Sequence, residues 1–174
     1  PVGSTKIDAA KNAATLFVDA AGSQDRIGAV SFSGDGVEPN DDATIQRIMQ
    51  PVTDAQRGLV RGAIAGIGAS GRTSIGDGLE KGRNEFVLRG GALGEDWLVL
   101  LSDGMENEAQ YWSNVRANLQ AANVKVNAIA LGPQTDQALL QAIAAETGGI
   151  YSYVDVGGAG SAPSAHVFRK LFGA

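Results

Sequence analysis

The sequence predicts a doubly wound α/β fold: a mostly parallel sheet with one antiparallel edge strand and helices on both faces. Short apolar runs, RIGAVSF at Arg26–Phe32, WLVLL at Trp97–Leu101 and KVNAIAL at Lys125–Leu131, are continuous rather than alternating, as in strands covered on both sides. Between them lie segments whose apolar residues recur at helical spacing. Strand and helix alternate along most of the chain, which argues for parallel strands joined by crossover helices.

Each element has its own signal. Ile7, Ala10, Ala14, Phe17, Val18 and Ala21 form one face of a first helix, stopped at Gly22. Arg26–Phe32 follows as a buried strand. Within Asp42–Val52 an edge-type strand is expected around Ala43–Ile48, ended by Pro51, which has no N–H to give a ladder. Thr53 and Gln56 form a capping box ahead of a helix reaching about Ile64. The loop Gly66–Gly71 leads to Ser74 and Asp77 at the next helix start, with Ser74 as its cap and Ile75, Leu79 and Phe86 as its buried stripe. Trp97–Leu101 is the clearest buried strand. Glu108–Ala121 reads as a helix, Lys125–Leu131 as a strand, Asp136–Glu146 as a helix closed by Gly148-Gly149, and Ile150–Val154 as a last strand. A Gly/Ser/Ala loop at Gly157–Ser164 and a short helix at Val167–Phe172 complete the reading. No repeat or linker divides the chain, so residues 1–174 are expected to form one domain.

Composition removes several function classes. The net charge of −5 gives no basic footprint for nucleic acid. The absence of cysteine excludes disulfides and thiolate metal sites. No apolar run approaches the roughly 18 residues that span a bilayer. No signal-peptide pattern opens the sequence, and proline at position 1 is expected of a processed fragment, an excised piece or a chain given only in part.

In sheets of this kind the ligand crevice lies beyond the carboxyl ends of the strands, near a topological switch point. Three loops qualify: Ser33–Gly36, Gly68–Ser74 and Ser102–Asn107. Leu100-Leu101-Ser102-Asp103-Gly104 places a carboxylate at a strand exit, and Gly71-Arg72-Thr73-Ser74-Ile75-Gly76 places two hydroxyls at a helix entrance. Read alone, Asp103 is equally an ordinary turn or cap aspartate. Gly76-Asp77-Gly78 superficially suggests nucleotide binding, but a helix rather than a strand precedes it, and no P-loop motif occurs. His166 is the single histidine and reads as packed or solvated. Without a Gly-x-Ser-x-Gly elbow or His-Glu-x-x-His, no enzyme is expected. A small hydrolase or phosphotransfer domain using Asp103 is the enzymatic alternative, and it needs further carboxylates around that residue. Asp35, Asp41 and Asp42 could hold a cation, although acidic loops are usually just solvated. Tyr111 and Trp112 either rim the Asp103 loop or begin a buried helix face.

Together, the Thr73 and Asp103 phrases resemble the metal-ion-dependent adhesion site of von Willebrand factor A domains, whose motif is Asp-x-Ser-x-Ser, then a threonine, then an aspartate. Asp25–Phe32 resembles the family's second strand, and Thr147-Gly148-Gly149 with Tyr151 its last. Thr73-Ser74-Ile75, Leu101-Ser102-Asp103-Gly104 and Ala128-Ile129-Ala130-Leu131-Gly132 are most similar to the A domains of calcium-activated chloride channel regulators. The resemblance implies that Thr73 and Asp103 ligate Mg²⁺ (or Ca²⁺ or Mn²⁺), that an acidic side chain of a protein partner completes the ion, and that the domain works in adhesion at an extracellular, periplasmic or cell-surface location. It implies a sheet order of 3-2-1-4-5-6, with the Asp-x-Ser-x-Ser strand between RIGAVSF and WLVLL. That first central strand is absent from Pro1–Ala174. The expectations are therefore weak or absent metal binding and one of three arrangements. The strand lies upstream, another chain supplies it by strand complementation, or the sheet closes differently. An A domain that has lost its metal and serves only in assembly is the structural alternative.

Overall fold

A computed structural model describes residues 6–37, 41–89 and 94–155. Helix α1 (Lys6–Ala20) leads to strand β1 (Arg26–Phe32), which pairs antiparallel with β2 (Ala43–Pro51). Helices α2 (Asp54–Gly66) and α3 (Ile75–Arg89) precede β3 (Trp97–Ser102). Then α4 (Trp112–Ala121), β4 (Lys125–Leu131), α5 (Gln137–Thr147) and β5 (Tyr151–Val154) follow. Strands β3, β4 and β5 form a parallel sheet in that order, with Trp97 opposite Lys125 and Ala128 opposite Tyr151.

The period of two along β4 builds two core layers. Val126, Ala128 and Ala130 pack with Ile75 and Leu79 of α3, Val115 and Leu119 of α4, and Leu140 and Ile143 of α5. Ile129 and Leu131 turn the other way, toward Ala13 of α1. A third cluster joins Val18 of α1, Ile27 of β1 and Val60 and Ile64 of α2. Each fully buried Leu, Ile or Val contributes about 1.5–3 kcal/mol relative to exposure. The doubly wound expectation holds: helices cover both faces of the strands.

The sheet is divided. β1–β2 and β3–β4–β5 are separate ladders, and among the described residues no ladder joins β1 to β3. Direct pairing of β1 with β3, one way in which the sheet could close differently, is therefore not seen among the described residues.

Some local expectations need correction. Thr53 Oγ1 accepts from the Gln56 N–H at 3.0 Å, as a cap should. The Gln56 side chain does not complete a box; its amide donates to Ile27 O at 3.0 Å and Ile48 O at 3.2 Å, because both strand carbonyls lie within reach of α2. The Ser74 hydroxyl donates to Asp77 Oδ2 at 2.7 Å and to Ala109 O at 3.3 Å, so it ties the helix start to a neighbouring loop. α4 begins at Trp112 rather than Glu108, since the Glu106 carboxylate takes the Trp112 N–H at 2.9 Å and draws Glu106–Tyr111 into a loop. β2 continues to Pro51, and β5 begins one residue later than expected. The Gly157–Ser164 loop, the Val167–Phe172 helix and His166 lie outside the described residues.

Candidate functional site

The three loops singled out in the sequence meet at the carboxyl ends of β1 and β3. Gly34 N–H donates to Arg72 O at 2.9 Å, and Arg72 N–H returns to Gly34 O at 2.7 Å. Thr73 N–H donates to Asn107 Oδ1 at 2.8 Å, while Asn107 N–H donates to Thr73 O at 3.1 Å. This reciprocal pair fastens the threonine to the loop that follows β3.

Asp103 is the first residue after β3 and is exposed. Gly104, beside it, has no Cβ, and one placed there would lie 2.7 Å from Thr73 Oγ1. The glycine thus lets the Thr73 hydroxyl come against the backbone next to Asp103. Thr73 and Asp103 share one rim. Lys6, the first residue of α1, joins them, with Nζ 3.7 Å from Asp103 Oδ2.

Buried and half-buried carboxylates support the rim from below. Glu106 accepts from the backbone N–H groups of Gly76, at 3.1 Å, and Trp112, so one side chain serves the starts of α3 and α4. Burial raises its pKa, the two N–H groups oppose that rise, and nearby Asp136 adds to it. Asp77 Oδ2 accepts from Ser74, from Asp42 N–H at 3.2 Å and from Gln110 N–H at 3.3 Å. Glu108 is buried and pairs with Arg72 at 3.3 Å. Asp42 has its pKa raised, first by burial and then by repulsion from Asp35, Asp77 and Glu108. Its Oδ2 is buried without a hydrogen-bond partner among the described residues.

Sequence reasoning missed Lys6, Glu106, Asn107 and Glu108. The signal was faint: Glu106-Asn107-Glu108 looks like a solvated helix start, and Lys6 like one charge on an amphipathic face. Trp112 belongs to the core at 5% exposure, whereas Tyr111 stands at the surface at 44%. Asp35, Asp41 and Asp42 do not form a cation cage; among the described residues, no group of three or more His, Cys, Asp or Glu side chains could hold a metal.

Thr73 and Asp103 offer a neutral hydroxyl and a carboxylate, the oxygen chemistry that Mg²⁺ or Ca²⁺ prefers. Mg²⁺ takes about six oxygens, so these donors suit a hard cation in kind and fall short of it in number. Lys6 already sets a positive charge against the carboxylate.

The model of the von Willebrand factor type A domain matches residues 1–159. The chain belongs to that family. Solved structures similar to this A domain include a von Willebrand factor type A protein from Catenulispora acidiphila, at 17% identity and a TM-score of 0.74, with 95% of this chain and 37% of that one covered. Proximal thread matrix protein 1 from the mussel byssus is similar at 27% identity, with a TM-score of 0.64 over 80% of this chain and 34% of the other. A form of the mussel protein described as having a zinc-occupied MIDAS motif matches at 23% identity and a TM-score of 0.71, over 94% of this chain and 39% of that one. The A domain spans less than two-fifths of the length of these proteins. No curated protein sequence matches it.

Proposed function

We propose that this A domain is a non-catalytic protein-interaction module whose recognition rim is built around Thr73 and Asp103. An acidic side chain of the partner binds there, assisted by a divalent cation. The observation that supports this reading is the approach of the Thr73 hydroxyl to the Gly104 backbone, next in the chain to Asp103. Family membership supports a binding role, and the zinc-occupied motif of the mussel relative supports a divalent ion in that role.

A first shell containing a single carboxylate leaves a bound cation with net positive charge, and a partner carboxylate then supplies both a ligand and charge balance. The chain's own residues orient that partner: Asn107 fixes Thr73, and Lys6 adds a second positive group at the rim. With so few protein ligands, affinity for Mg²⁺ in this chain falls in the millimolar range or weaker. Calorimetric titration with Mg²⁺ or Mn²⁺ tests this, and micromolar binding overturns it. Binding of an acidic peptide that strengthens on adding Mg²⁺ and is lost in Asp103→Ala supports the proposed role; binding indifferent to both changes favours a metal-free assembly domain.

The phosphotransfer alternative needs several carboxylates around Asp103, whereas among the described residues its ion-pair partner is Lys6. Likeness to chloride channel regulators and a surface or extracytoplasmic setting rest on the sequence phrases alone. No helix among the described residues is long and apolar enough to cross a membrane.

A further inference from the structure

A depression of about 450 Å³ opens where β1 begins, β2 ends, α2 begins and α3 ends. We infer that it is a binding site for a small organic carboxylate. The carboxylate pairs with Arg26 and Arg89, and the apolar body of the ligand lies against Met49, Pro51 and Leu59.

The place is far from the Thr73–Asp103 rim. β1 runs from Arg26 toward the Gly34–Arg72 bridge at the rim, and Pro51 at the end of β2 lies opposite Arg26. α3 starts two residues after Thr73 and carries Arg89 at its far end, about 22 Å along the helix axis. The site therefore sits at the other end of the fold and shares no residue with the rim.

Charge sets what the depression takes. The chain carries a net charge of −5, yet among the described residues the charged ones lining this wall are Arg26 and Arg89, with no Asp or Glu. Arg26 is exposed and enters none of the ion pairs formed among the described residues. Arg89 is held in place. Its Nε donates to both carboxylate oxygens of Glu85, each at 3.2 Å, and buried Glu85 is itself fixed by the Met49 N–H at 2.9 Å. Those bonds anchor the guanidinium through Nε and leave its Nη groups as donors. Glu85 balances Arg89, so the unbalanced charge is the single one of Arg26. A singly charged carboxylate neutralises it, and its two oxygens match the planar guanidinium fork.

The rest of the wall is apolar or already engaged. Gln56 donates to Ile27 O and Ile48 O and accepts from Arg47, while Thr53 caps α2. The arginines are thus the strong donors left for a ligand. Met49 is buried, whereas Leu59 stands 50% exposed beside them. A short hydrocarbon covers that leucine, and each methylene it buries adds roughly fourfold to affinity. The volume falls within the range of small-molecule sites.

The test uses hexanoate as the probe, with acetate and hexan-1-ol as controls, in metal-free buffer. Backbone NMR follows the amides of Gln50, Thr53 and Ala55. Because these reporters lie at the end away from Thr73 and Asp103, the result is independent of the function proposed for the rim. Hexanoate is expected to saturate their shifts and to bind at least about tenfold more tightly than either control. Arg26→Gln should weaken hexanoate about tenfold. Leu59→Ser, at an exposed position, should weaken hexanoate and leave acetate unchanged. Equal binding of acetate reduces the site to a stray-ion contact, and equal binding of hexan-1-ol reduces it to apolar contact; either overturns the inference. Tighter binding of the phenyl phosphate dianion overturns the single-charge assignment. Unchanged hexanoate affinity in Arg26→Gln, or shifts centred on Thr73 and Asp103, overturns the site itself.

Discussion

The ammonium of Lys6 lies 3.7 Å from the carboxylate of Asp103, at the point where α1 begins and β3 ends. A cation arriving at Asp103 meets a positive charge already in place. Both side chains are substantially exposed, so the pair is weak and screened by salt. Lys6→Met is expected to tighten Mn²⁺ binding by no more than about fivefold at low salt, an advantage that shrinks as ionic strength rises. Mn²⁺ titration followed by electron paramagnetic resonance measures it; weaker binding in Lys6→Met would mean that the ammonium supports the site.

Asn107 acts on the rim through Thr73. It holds the threonine by two hydrogen bonds, one of them accepted by its side-chain Oδ1 from the Thr73 N–H. Asn107→Ala should weaken the cation response while leaving the fold intact, and Asn107→Asp should retain the acceptor. Unchanged Mn²⁺ affinity in the alanine variant would show that Thr73 is positioned by other contacts.

Asp42 gives a pH-dependent prediction. Its pKa is raised by burial and by Asp35, Asp77 and Glu108, so the folded protein binds its proton more readily than the unfolded chain does. The ionised form therefore costs stability, and the cost appears as pH rises from the ordinary aspartate range through the raised folded value. Asp42→Asn is expected to raise Tm at pH 7 and to leave it nearly unchanged at about pH 3.5. Thermal melts at the two values check this, and a lower Tm at pH 7 would contradict it.

Most of the fold was legible because β1 and β4 are continuous apolar runs bounded by polar residues and glycine, and their limits follow from that pattern alone. The start of α4 was not. Glu106 captures the Trp112 N–H from six positions away, and helical periodicity contains no trace of such a bond. Gln56 misled for a similar reason: its spacing from Thr53 fits a capping box, while the carbonyls it bonds come from β1 and β2. Thr73 and Asp103 stood out as a hydroxyl at a helix entrance and a carboxylate at a strand exit. Lys6 and Asn107 did not, since their roles arise only when α1 and the loop after β3 are brought to the same end.

Gln56 links α2 to both strands of the antiparallel pair and is buried at 3% exposure. Its amide donates to Ile27 O and Ile48 O, and its Oε1 accepts from Arg47 Nε at 3.2 Å. Gln56→Ala leaves two strand carbonyls without that donor and should cost about 1–3 kcal/mol. Urea denaturation measures the loss. A change below about 0.5 kcal/mol would mean that water replaces the amide freely.

The most direct test of the rim is backbone NMR of this 17.8 kDa chain during titration with Mn²⁺, whose unpaired electrons broaden nearby resonances. The account predicts that the amides of Thr73, Asp103 and Gly104 fade first and together, and that Asp103→Ala removes the effect. Broadening centred instead on Asp35, Asp41 and Asp42, with Thr73 and Asp103 unaffected, would contradict it.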